Sequence, residues 1–306
     1  MPVTLDRDAL RAALADIPAL AGDRTVEELS GGLTNLNLKV TTAAGAFVVR
    51  CFCGDPELLG IDRDAEAFNS RAAAEAGVGA EVVDYRPDLG MLVIRFISGE
   101  TYDNARLAEP GTLPRVADAM RRLQAGPRFV NDFDMFTRQA GYRAKVVTRG
   151  LPLPPSYDDH DAAFQRIRAA LATRARPTVP CNNDLLAGNL VDDGHRIWLI
   201  DYEYSGNNDA FFELGNTSTE CDLDADQTAE LVAAYVGRES RSLLARTRLQ
   251  AMVSQYGWSL WGVLQAATSA LDFDFTGWGL ERYEKAVRGF TGDDFDRLID
   301  EVQRDD

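Results

Sequence analysis

Apolar and polar positions follow two different rhythms along this chain. In the first part the segments 25–29, 35–41, 47–52, 81–85 and 91–97 are short apolar or alternating runs. Glycine- or proline-bearing turns separate most of them, a pattern that predicts antiparallel strands. One helical stretch, 62–76, interrupts the strands; it is rich in alanine and charge and is closed by Gly77 and Gly79. Ahead of them, Leu5, Leu10, Leu14 and Ile17 recur at helical spacing, so residues 1–20 are expected to form an amphipathic helix rather than a signal peptide.

Beyond residue 111 the period becomes that of helices. Segments 113–124, 133–147 and 159–172 read as helices, with a proline-rich loop at 151–155. A hairpin follows, its arms at 189–191 and 196–201 around Asp192-Asp193-Gly194, and helices run from there to the end. The expected architecture is therefore α+β in two lobes. Residues 1–97 supply a small antiparallel sheet with one helix, and 98–306 a larger, mainly helical lobe.

Composition narrows the function. Against 32 basic residues stand 48 acidic ones, a formal net charge of −16 that repels nucleic acid and anionic membrane surfaces and favours a cationic partner. The most apolar long stretch, 256–275, is broken by Ser259, Gln265, Thr268, Ser269 and Asp272 and is not expected to span a membrane. Cys51, Cys53, Cys181 and Cys221 have neither metal-site spacing nor disulfide density, which makes the reducing cytoplasm the expected compartment.

Only two histidines, His160 and His195, are present, and neither has candidate nucleophiles or metal ligands around it. Carboxylates must carry the chemistry. In the run C-N-N-D-L-L-A-G-N, Asp184 and Asn189 stand five positions apart, and Asp201 ends the strand that returns from the hairpin. Phosphoryl transfer needs these three groups: a carboxylate to orient the attacking hydroxyl, and an amide oxygen with a second carboxylate to hold magnesium. The spacing matches the protein-kinase string H-R-D-L-x-x-x-N with its later Asp, except that Asn182 takes the histidine position. Kinase order extends upstream. The turn with Gly31, Gly32, Thr34 and Asn35 can bring backbone N–H groups to phosphate, Arg50 ends a strand where a kinase carries its phosphate-binding lysine, and Glu66 can hold that cation from the helix.

With these residues in place, the chain resembles the choline and ethanolamine kinase family, which shares its fold with aminoglycoside phosphotransferases and protein kinases. The similarity runs from G-G-L-T-N through C-N-N-D-L-L-A-G-N and I-D-Y-E-Y-S-G-N-N-D-A-F-F-E-L-G-N to Y-G-W-S-L-W-G-V-L-Q-A-A-T-S-A-L-D-F-D-F-T-G-W. The resemblance implies a two-lobed protein-kinase-like fold and ATP- and Mg2+-dependent phosphorylation of a small amino alcohol. It makes Asp184 the base, Asn189 and Asp201 the metal ligands, and Arg50 with Glu66 the phosphate-positioning pair. It also makes the stretch from Arg95 to Ile97 the hinge that meets adenine. Histidine is usual in the family where Asn182 stands, and Leu-His is common where this chain has Leu123-Gln124.

Trp258, Trp261 and Gln265 fall on one helical face at i, i+3 and i+7, with Phe273 and Trp278 beyond. Such a stripe serves core packing, but aromatic faces beside a carboxylate are also how proteins recognise a quaternary ammonium. Asp272 and Asp274 lie within the same stretch. The family resemblance places a choline pocket on Trp258, Trp261, Phe273 and Trp278, with Glu220. The expected reaction is ATP plus choline giving phosphocholine. Its alternatives are a kinase for ethanolamine, thiamine or an aminoglycoside, or a catalytically silent kinase-like protein that only binds its ligand.

Overall fold

The structure, a computed structural model, describes residues 7–29 and 32–306. Leu5 and Gly31 lie outside the described residues. The N-terminal lobe comprises α1 (Arg7–Ala15), β1 (Arg24–Leu29), β2 (Asn35–Thr42), β3 (Gly45–Phe52), α2 (Pro56–Leu59), α3 (Arg63–Glu75), β4 (Val82–Arg86) and β5 (Met91–Arg95). The strands form one antiparallel sheet in the order β1-β2-β3-β5-β4. Its register pairs Leu38 with Val49 and Val40 with Phe47, so alternate side chains meet on one face. There Leu14, Ile17 and Leu20 close over Leu38, Val40, Phe47, Val49, Met91 and Val93. The expected first helix is shorter than its apolar spacing suggested. It ends at Ala15, and Pro18 opens a separate 3-10 turn, Pro18–Leu20.

The C-terminal lobe adds β6 (Glu100–Thr101), α4 (Asn104–Leu107), α5 (Thr112–Gln124), α6 (Met135–Thr148), α7 (Asp161–Thr173), β7 (Val179–Cys181), β8 (Leu190–Asp192) and β9 (Ile197–Leu199). After these come β10 (Gly206–Asn208), α8 (Ala210–Glu220), α9 (Ala225–Val236), α10 (Arg241–Thr268), α11 (Phe275–Thr291) and α12 (Phe295–Glu301). Two small sheets, β6-β8-β9 and β7-β10, frame the loop between β7 and β8. The expected hairpin is β8–β9, with Leu190 opposite Leu199; Asn189 ends a 3-10 turn before it rather than opening its first arm.

Helix α10 is the axis of this lobe. Ser240 caps it by accepting the Leu243 N–H, and the helix is buried on several faces, against α6, α8 and α11. Burial on several faces is why its sequence lacks a single apolar stripe. Among the described residues no helix is long and apolar enough to cross a membrane. All four cysteines are free thiols.

Helices α10 and α11 cross on two glycines. A Cβ at Gly262 would lie 2.7 Å from the Gly279 Cα, and one at Gly279 would lie 2.8 Å from the Ser259 carbonyl oxygen. This close approach brings Trp261 and Trp278 together, with ring centroids 4.9 Å apart. Gly279→Ala should therefore overpack the crossing and cost about 1–3 kcal/mol of stability. Thermal denaturation should show the loss, and an unchanged melting temperature would mean that the helices can part freely here.

Candidate active site

The amide-rich run between β7 and β8 is held by its own polar groups. Asn182 and Asn183 are fully buried, and their backbone N–H groups donate to the two oxygens of Glu213, at 2.8 and 2.7 Å. The Asn182 side chain donates to the carbonyls of Ile200 (3.1 Å) and Asp201 (2.7 Å) and accepts the Asp184 N–H (3.1 Å). Asn183 stands at φ 67°, in the left-handed region that asparagine tolerates, and its side chain bonds Cys181, Tyr204 and Gly206 carbonyls and the Asn208 amide. Asn189 donates to the Asp184 carbonyl at 2.8 Å. Thus Asp184, Asn189 and the two residues that follow β9, Ile200 and Asp201, form one hydrogen-bonded unit. Asp201 itself is at φ 66°, turning its side chain out of the strand path.

Asp201 meets Arg50 from the sheet. Arg50 Nη1 lies 2.6 Å from Asp201 Oδ1 and 2.9 Å from Glu66 Oε1. Burial alone would lower the arginine's proton affinity, but the Asp201 and Glu66 carboxylates more than offset it and keep the guanidinium charged. A second arginine, Arg63, binds Glu66 (2.7 Å), Glu203 (3.1 Å) and the Asn35 side-chain oxygen (2.9 Å). Glu203 also accepts the Thr34 hydroxyl at 2.7 Å and the Asn35 amide at 2.8 Å. The turn after Gly32 is therefore clasped to the residue two beyond Asp201. On the other side Leu33 accepts a bond from Gln265 of α10.

Arg50, Glu66, Ser70, Leu92, Ile94 and Asp201 line a cleft between the lobes. Arg95 does not enter it. Its side chain pairs with Glu81 at 3.2 Å and stacks over Phe47, at the exposed end of β5. The Arg95 and Phe96 amides are taken by the Glu81 and Ala46 carbonyls, which makes Ile97 the first residue of the stretch whose amide lies outside the sheet.

Asn189 Oδ1 and Asp201 Oδ2 have no protein partner among the described residues, since only Asn189 Nδ2 and Asp201 Oδ1 are engaged. Two hard oxygens on facing elements suit magnesium, which takes few protein ligands and keeps water and phosphate oxygens for the rest. Asp184 adds a further carboxyl group to the region. Burial first, and then Asp201, Glu220 and Glu203, push its proton affinity well above the ordinary carboxylate range, with Arg282 opposing.

The aromatic residues expected to form one cage are divided. Trp258 is core: it is 3% exposed, packs against Phe133, Tyr142 and Tyr204, and donates to Asn216 at 3.2 Å. Trp261 donates to the Tyr204 hydroxyl at 2.7 Å and packs against Trp278 and Phe275. Phe273 is 41% exposed and touches Phe275, so Phe275 takes the place at Trp261 that Phe273 was expected to fill. Asp274 caps α11 through the Gly277 N–H. Glu220 is buried and bonded to Arg282 and Gln255.

The profile of the choline/ethanolamine kinase family matches residues 26–287. The chain belongs to that family. A choline/ethanolamine kinase family protein from Mesorhizobium loti is 34% identical and superposes with a TM-score of 0.85 over 97% of this chain and 98% of its own. A probable ethanolamine kinase of Arabidopsis thaliana is 25% identical over 299 residues, 85% of this chain and 78% of its own length. Choline kinase LicA from Streptococcus pneumoniae shares the fold at a TM-score of 0.79 and 23% identity, over 92% and 98% of the two chains. Members of the family are kinases of choline or ethanolamine, so this chain is a nucleotide-dependent small-alcohol phosphotransferase with the two-lobed kinase-like fold.

Five residues of the site escaped the sequence reading: Arg63, Glu203, Tyr204, Glu213 and Arg282. Glu203 and Tyr204 were within reach, because they stand two and three residues after Asp201 in I-D-Y-E-Y. Glu213 is the most telling, a lone carboxylate in the apolar stretch A-F-F-E-L-G. Its burial raises its pKa to about 7, against the opposing pull of the Asn182 and Asn183 N–H groups.

An unfolded glutamate titrates near pH 4.3. Between that value and about 7 the folded state keeps a proton that the unfolded chain releases, so stability falls as pH rises through this window, by roughly 4 kcal/mol in all, and levels off above it. Glu213→Gln should remove this slope. It should also lower stability by about 1–3 kcal/mol, since one amide oxygen cannot serve both N–H groups. Urea unfolding from pH 5 to 8 would show both effects, and parallel pH slopes in the two proteins would contradict the assignment.

Proposed function

We propose that this enzyme transfers the γ-phosphoryl group of ATP to the hydroxyl of choline, with Asp184 as the base and Mg2+ on Asn189 and Asp201. The observation that carries the reading is the bonded unit of Asn182, Asp184, Asn189 and Asp201, with Glu220 and Arg282 close enough to act on the Asp184 charge and the packed Trp278 and Trp261 rings beside that pair. Asp184 suits a general base because its proton affinity lies high among neighbouring carboxylates. Cations entering the site lower that affinity and free the carboxylate to orient the hydroxyl. Arg50, fixed between Glu66 and Asp201, offers a positioned charge to phosphate, and the Thr34–Asn35 turn closes over the same region. Bound magnesium would neutralise charge on the phosphates.

Choline is favoured over ethanolamine because Glu220 is already bonded to Arg282 and Gln255, which leaves aromatic faces as the main recognition surface. A quaternary ammonium suits such faces and has no N–H to satisfy. Ethanolamine is the second reading, supported by the similarity to the Arabidopsis thaliana protein.

A coupled ATP-turnover assay with choline, ethanolamine, thiamine and an aminoglycoside tests the acceptor. Higher kcat/KM for ethanolamine than for choline would overturn the choline reading, and turnover of neither would overturn the function. Asp184→Ala should lower kcat by at least ~100-fold; a wild-type rate would remove Asp184 from its role. Magnesium titrations of Asn189→Ala and Asp201→Ala should both shift to higher concentration, with Asp201→Ala shifting further because it loses a full charge. Curves that coincide with wild type in both would place the ion elsewhere.

A further inference from the structure

Beside Trp278, the buried Glu220 already holds a cation that belongs to the chain. The Arg282 guanidinium lies 3.4 Å from the Trp278 ring centroid, and its Nε donates to Glu220 Oε1 at 3.0 Å while Nη2 pairs with Oε2. Gln255, itself buried, donates to Glu220 Oε1 at 2.8 Å. The side chains of Glu220 and Arg282 are 2% and 11% exposed. Both carboxylate oxygens of Glu220 are therefore engaged from within the protein. Arg282 also ends a continuous ladder, in which Tyr204 receives the Trp261 N–H, Trp261 packs on Trp278, and Trp278 carries the guanidinium.

We propose that Arg282 is a positioning and specificity-determining residue: it withholds Glu220 from the substrate and fixes Trp278, so that the substrate ammonium is read by aromatic faces rather than by a carboxylate. The proposal rests on the amino-alcohol reading above. A primary ammonium brings three N–H donors that must find acceptors once dehydrated, and an engaged Glu220 supplies few. A quaternary ammonium has no such donors and gains from the indole faces. Removing Arg282 leaves Glu220 buried with one neutral partner, an arrangement that a primary ammonium relieves best.

Arg282→Met keeps an unbranched apolar stem and removes the guanidinium with its charge. Its choline-to-ethanolamine ratio of kcat/KM should fall about tenfold, the worth of one hydrogen bond, while KM for ATP stays unchanged. Arg282→Lys restores the charge but neither the paired bond nor the planar stack, and its ratio should lie between the two. An unchanged ratio in both variants, or an equal loss for the two amines, overturns the proposal and leaves Arg282 a structural clip. Should Arg282→Met fail to fold, Arg282→Lys decides alone.

Titration of intrinsic tryptophan fluorescence with tetramethylammonium and methylammonium reads the same preference without turnover. If the wild-type protein phosphorylates neither amine yet prefers tetramethylammonium, and Arg282→Met loses that preference, the proposed reaction falls and the role of Arg282 stands. If the wild type binds neither cation, both fall.

Discussion

The structure depends on one electrostatic constraint: five carboxylates crowd into the region between the lobes with three guanidinium groups to balance them. Glu66, Asp201 and Glu203 share Arg50 and Arg63, Glu220 takes Arg282, and Asp184 has no arginine bonded to it. Charges withdrawn from water are costly unless paired. The pairing here is incomplete by two, and the shortfall falls at the open face, where Asn189 and Asp201 still have free oxygens. A site built this way is a standing attractor for cations. Burial is the main cause of the raised proton affinity of Asp184, and the uncompensated charge of its carboxylate neighbours adds to it.

The same constraint couples the lobes. Arg50 comes from β3, Glu66 and Arg63 from α3, Thr34 and Asn35 from the start of the β1–β2 turn's descending strand, and Asp201 and Glu203 from the C-terminal lobe. Apolar packing joins the lobes as well, since Ala72 and Ala73 of α3 share a buried cluster with Leu185, Leu190 and Leu199. The polar contacts at the cleft differ in kind, because phosphate and metal can compete for them. On the far side α10 supplies a rigid reference, since its close crossing with α11 sets the Trp261–Trp278 pair and its Gln265 reaches Leu33 of the glycine turn.

Much of this was legible in the sequence because it follows from local chemistry. The five strands of the N-terminal sheet announced themselves through period-two patterning and turns, and D-x-x-x-x-N with a strand-terminal Asp marked the loop. What stayed hidden depends on partners distant in sequence. Strands β7 (Val-Pro-Cys) and β10 (Gly-Asn-Asn) hold a single β-branched residue between them, and they are strands because Gly206 pairs with Cys181. Trp258 and Trp261 stand on one helical stripe, yet the first packs into core and the second faces Trp278, a difference that comes from α6 and α11 rather than from α10. Arg282 carries no signal of its own in the sequence; only its position one turn after Trp278 and opposite Glu220 ties it to that ring and that carboxylate.

The asparagine at position 182 shows how a departure from a family pattern can be read through valence. Its side chain serves three partners at once: two carbonyls, of Ile200 and Asp201, receive its N–H groups, and the Asp184 N–H reaches its oxygen. A neutral imidazole has one donor and one acceptor, and could meet two of these three needs. The amide therefore holds the loop and the end of β9 with one bond more than the usual residue, while Glu213 holds the loop backbone from below. Loop geometry around Asp184 is thus secured by hydrogen bonding instead of by ring packing, which is the reason a change at a conspicuous motif position leaves the groups that face the cleft in place.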